Sequence, residues 1–83
     1  MKLNKLTKEQ AEEIIVYGED KAFSMITIKD IPLTIYHREY KGKHYDIAEM
    51  NTYIVDKEET ITTFYQLDPE EVKQIIGGNT NDN

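Results

Sequence analysis

The chain has 83 residues, 39% hydrophobic and 31% charged, no cysteine and a formal charge of −6. That length allows one small domain around one core, and the composition is that of a folded chain and not a disordered one. The missing cysteine excludes disulfides and thiolate metal sites. The acidic balance disfavours broad nucleic-acid or anionic-membrane binding, which needs clustered Lys and Arg.

The opening MKLNKLTKEQAEE meets acidic residues before any apolar run forms, so no secretory leader is expected. No stretch approaches the roughly 20 apolar residues of a membrane span. The cytoplasm is the default location.

In chain order, Thr7 reads as an N-cap with Gln10 closing a capping box, and Ala11, Ile14 and Ile15 then follow at helical spacing. Gly18 offers a left-handed stop. Four segments rich in β-branched and aromatic residues come next: AFSMITIK, LTIYHREY, HYDIAEMNTYIV and TITTFYQL. They are divided at Asp30-Ile31-Pro32, at Lys41-Gly42 and at Asp56 to Glu59. A second helix starts at Asp68-Pro69, with Glu71 completing a capping box and Leu67 and Val72 forming a hydrophobic staple. Ile75 and Ile76 carry its buried face, and Gly77-Gly78 ends it.

The expected fold is α+β: helix, four-stranded antiparallel meander, helix, with both helices packed on one sheet face. Residues 1–78 form the domain and 79–83 a polar, frayed tail. Two short helices on one face would leave the other face open. That face, or an edge strand, is then an expected surface for homodimerisation, the more so because so small a core has no covalent or metal staple.

The stretch Tyr36 to Asp46, YHREYKGKHYD, holds both histidines and three of the six tyrosines. A type I turn with Gly42 in a left-handed bulge asks for nothing strained at Lys41 and is the favoured hairpin tip. A two-residue turn would need positive φ at Lys41, but it would set His37 opposite Asp46 and His44 opposite Glu39.

A zinc-type site at His37 and His44 needs that second register, plus Asp46 or Glu39 as further ligands. Acid–base catalysis by either imidazole also needs a pocket, and no nucleophile or phosphate-loop signature accompanies them. The only serine, Ser24, falls in an expected strand. No enzyme activity, cofactor or metal is therefore expected.

Arg38, Lys41 and Lys43 among tyrosines could contact nucleic acid, but three cations in an acidic chain bind weakly. The sequence is read instead as a small acidic, non-enzymatic module, a regulator or inhibitor acting on a partner protein. Tyr36, Arg38, Tyr40, Tyr45 and Tyr53 are its candidate interaction residues, because Tyr and Arg dominate interface energetics.

Overall fold

The structure, a computed structural model, describes residues 3–81, the side chains of 76–81 excepted. The elements are β1 (Asn4–Leu6), α1 (Lys8–Tyr17), β2 (Glu19–Ile28), β3 (Ile31–Tyr40), β4 (Lys43–Ile54), β5 (Glu59–Leu67) and α2 (Pro69–Asn81). A 3-10 turn at Val55–Lys57 joins β4 to β5. The strands form one antiparallel sheet in the order β1-β5-β4-β3-β2.

The expected four-stranded meander is thus corrected to five strands. The extra one, β1, pairs Asn4 with Gln66 and Leu6 with Phe64, and so covers what would be the open edge of β5. Three residues are too few to display period-two alternation, and Thr7 ends them at once by capping α1. Nothing in their composition marks them as a strand. Only the free hydrogen-bonding edge of β5 does.

The second correction concerns the helices, which lie on opposite faces of the sheet. Ala11 and Ile14 of α1 are buried with Ile47 and Phe64. Val72 of α2 is buried with Ile26, Leu33, Ile35, Ala48 and Leu67. Ile47 and Ala48 are neighbours in β4, and successive strand side chains point to opposite faces. The reason lies in the strands, which are apolar at both parities and would waste one set against water if both helices shared a face.

The caps of α1 match the expectation. The Thr7 hydroxyl accepts from the Gln10 N–H at 3.1 Å, and the Gln10 side chain accepts from the Thr7 N–H at 3.1 Å. Gly18 does not stop the helix by a left-handed turn, since its φ of −72° is ordinary. It is a glycine for want of space: a Cβ there would sit 2.4 Å from the Ile14 carbonyl oxygen and 3.2 Å from the Arg38 Cβ. At α2, Asp68 Oδ1 accepts the Glu70 N–H at 3.0 Å, and Leu67 and Val72 are both buried as the staple requires. This helix runs past Gly77-Gly78 to Asn81, and the last two residues of the expected tail lie outside the described range.

Two hairpins use two-residue turns. Lys29 and Asp30 (φ 50° and 67°) separate the pair Ile28–Ile31. Lys41 and Gly42 (φ 50° and 77°) separate Tyr40–Lys43. Both positive-φ pairs are type I′ in character, whose twist matches that of the flanking strands. Pro32 is tolerated one residue inside β3, because pairing with β4 begins only at Thr34 and its missing donor falls on that unpaired side.

Candidate functional site

Alternation along β3 and β4 divides the stretch Tyr36 to Asp46 between the two faces. Tyr36, Arg38, Tyr40 and Tyr45 point toward α1, whereas His37, His44 and Asp46 point toward α2.

On the α1 side, Arg38 is 9% exposed and acts as an internal clamp. Its Nε–H donates to the Ile15 carbonyl at 3.0 Å, and Nη1 donates to Asp20 Oδ1 at 2.9 Å and to the carbonyls of His37 and Ala22 at 3.0 and 3.3 Å. The guanidinium also lies 5.3 Å from the centre of the Tyr36 ring. It holds the last turn of α1 against the irregular pairing between Asp20 and Phe23 in β2.

Tyr36 is half-buried, and its hydroxyl donates to Glu49 at 3.2 Å. Burial first, and then the Glu49 charge, push its pKa above the usual tyrosine value. The Tyr40 hydroxyl donates to Glu13, and that hydrogen bond likewise raises its pKa. Tyr45 packs in the same cluster, with the Lys43 ammonium 5.2 Å from its ring centre. Of the five tyrosine and arginine candidates, Tyr53 alone is exposed, at 59%. Because Arg38 is buried, the basic hairpin tip consists of Lys41 and Lys43.

On the α2 side the hairpin register decides the chemistry. It is the two-residue turn and not the favoured bulge, so His37 faces Asp46 directly and His44 sits two residues along the same strand face. A carboxylate only accepts, so the two imidazoles donate to it. The Nδ1–H of His37 reaches Asp46 Oδ1 at 2.6 Å, and the Nε2–H of His44 reaches the same oxygen at 2.8 Å. Both rings therefore converge on one buried carboxylate, whose side chain is 3% exposed against 16% for His37 and 40% for His44. The ligating atoms of the three residues all lie within 4.8 Å of one another.

The far nitrogen of His37, Nε2, is 2.8 Å from the Ser24 hydroxyl. A hydroxyl both donates and accepts, so Ser24 suits His37 with the proton on either nitrogen.

Ser24, His37 and Asp46 resemble a hydrolytic relay in composition, but the order in space is reversed. In such a relay the hydroxyl meets the substrate and the carboxylate stands behind the imidazole. Here a cleft of about 670 Å³ opens beside His37, His44 and Asp46, and Ser24 is not part of its lining. The opposite wall is the start of α2, through Asp68, Pro69, Glu70, Val72 and Lys73. This wall follows from register, since Leu67, the last residue of β5, pairs with Asp46, and the chain turns into α2 beside that carboxylate.

No family model, curated protein or solved structure matches this chain. Function rests on the residues themselves. Among the described residues no helix is long and apolar enough to cross a membrane.

From the sequence, His37 and His44 form a set with Asp46 or Glu39 only in the disfavoured register, no metal is expected there, and Ser24 and the α2 wall go unmarked. The signal for Ser24 was the position of the first turn. With Lys29-Asp30 as the turn, Ser24 pairs with Ile35 and lies diagonally beside His37. The α2 wall could have been found only from the Asp46–Leu67 pairing.

Proposed function

We propose that this protein binds a borderline divalent metal ion of the zinc class through His37, His44 and Asp46. The observation that carries this reading is the convergence of two imidazole nitrogens on one oxygen of a buried carboxylate beside an open cleft. Two nitrogens and one oxygen are the donor set of many mononuclear transition-metal sites, and carboxylate-only cations such as calcium suit it poorly.

Binding an ion respaces the three ligand atoms. Ligand atoms around a tetrahedral ion with bonds of about 2.05 Å stand about 3.4 Å apart. Asp46 Oδ1 must therefore withdraw from each nitrogen by less than about 1 Å, and the ligand atoms that stand up to 4.8 Å apart must close by up to about 1.4 Å. Ser24 supplies the outer support usual for a metal-bound histidine: with Nδ1 turned to the ion, Nε2–H donates to the hydroxyl and fixes the ring.

The test is titration of the metal-free chain with Co(II) and Zn(II), followed by visible absorption and calorimetry. One ion per chain is expected, with His37→Ala, His44→Ala and Asp46→Asn each weakening it at least about tenfold. A wild-type chain that takes up neither ion, or variants that bind as tightly as wild type, would refute the proposal.

A second reading keeps the protein as a non-enzymatic interaction module in the cytoplasm, and one observation favours it. Phe23, Met25 and Tyr53 are exposed at 65%, 72% and 59%. They share the sheet face that carries α1, on the part which that helix leaves open. Sedimentation would reveal self-association through this face, and Tyr53→Ser with Met25→Ser should abolish it. A strict monomer at high concentration removes the homodimer from this reading.

A further inference from the structure

The cleft has two walls, and the metal reading accounts for one of them. Three ligands from the β3–β4 hairpin leave one corner of a tetrahedron open, and the first turn of α2 lines the same cleft. Around the cleft stand the carboxylates of Asp46, Asp68 and Glu70, with Lys73 as the only ammonium in its lining among the described residues. A dication held by two neutral imidazoles and one carboxylate keeps a single positive charge. Such an ion would add a second positive charge, beside Lys73, to a cleft that holds the carboxylates of Asp68 and Glu70.

Resting on the metal assignment above, we infer that Glu70 provides the fourth ligand and that the bound ion staples α2 to the hairpin. Glu70 is preferred to Asp68 because Asp68 Oδ1 already holds the Glu70 N–H at 3.0 Å, which leaves only the second oxygen of a shorter, tethered side chain for an ion. Glu70 is exposed on the cleft, has a longer side chain and carries no capping duty. Among the α2 residues with described side chains, Val72 is the buried anchor and Ile75 is partly buried. A short helix with two glycines in its latter half has little stability apart from its docking. A bond from its first turn to a hairpin-bound ion would therefore govern how tightly α2 is held.

The inference is tested on the full chain with Zn(II) and Co(II), comparing wild type, Glu70→Gln and Asp68→Asn. Asparagine caps as well as aspartate, so Asp68→Asn keeps the helix start intact. Glu70 is exposed, so Glu70→Gln retains the metal-free fold, which circular dichroism checks.

The expected result is a loss of affinity of about tenfold or more for Glu70→Gln, with a changed Co(II) absorption band, and less than about threefold for Asp68→Asn. Zinc should also slow amide exchange along α2 in the wild type and not in Glu70→Gln. If the wild type binds zinc but Glu70→Gln binds equally, or α2 exchange is unmoved by zinc, the staple is wrong while the hairpin site stands. A wild type that binds no metal overturns both.

Discussion

Arg38→Ala separates a structural arginine from an interface arginine, because the two roles predict opposite results. The guanidinium makes four internal hydrogen bonds, three of them to backbone carbonyls of Ile15, Ala22 and His37. Hydrogen bonds to a charged group contribute about 1.5–3 kcal/mol each at most, and their contributions overlap when one group makes several. The Asp20 side chain is 73% exposed, so that ion pair adds no more than about 1 kcal/mol. The dominant loss is the Ile15 carbonyl at the end of α1, together with the packing of the arginine stem over Tyr36.

A total of about 3 kcal/mol follows, near the lower limit for breaking a buried charged network. In a domain of this size it lowers Tm by roughly 12–24 °C. Urea unfolding followed by circular dichroism measures it directly. Arg38→Lys should recover only part of the loss, because an ammonium cannot reproduce the fork, and Asp20→Asn should cost under about 1 kcal/mol. An Arg38→Ala protein within 1 kcal/mol of wild type would refute the clamp and return Arg38 to the surface role its sequence position suggested.

Two other outcomes follow from the hairpin. Lys41 sits at φ 50°, where asparagine is better tolerated, so Lys41→Asn should raise stability by about 0.5 kcal/mol. A destabilised Lys41→Asn in urea unfolding would argue for the bulged register and against the His37–Asp46 pairing. Tyr36 has a pKa raised in the fold, so its contribution is fully present below the unfolded tyrosine value of about 10 and is lost as pH rises through the folded one. Absorbance titration at high pH should show a late-ionising tyrosine that moves to lower pH in Glu49→Gln. Identical titration curves for the two proteins would sink the Glu49 contribution.

Much of the architecture was legible because its signals are local. The capping box at Thr7 and Gln10, the Asp68-Pro69 start and the four long strands all announce themselves within a few residues. The rest depends on partners distant in sequence. β1 is a strand only because β5 offers an edge, and the face each helix covers is set by the parity of Ile47 and Ala48.

The site was half legible for the same reason. His37, His44 and Asp46 were visible as residue types, but their convergence hung on whether Lys41 accepts positive φ. A local preference against that conformation lost to the match between a two-residue turn and the strand twist. Arg38 misled because type frequencies at interfaces carry no information about parity. One residue to either side would have faced the histidines.

The opposed placement of α1 and α2 also shapes how the molecule comes apart. Ile47 and Ala48 are both fully buried, yet each belongs to a different apolar cluster, and β4 is the central strand of the sheet. The protein therefore has two thin half-cores, back to back, with one strand as their party wall. Damage to the α2 half reaches the α1 half only through the backbone ladder, so the two halves can open with different free energies. A device that tightens α2 would then tune one half of the protein while the other stays folded.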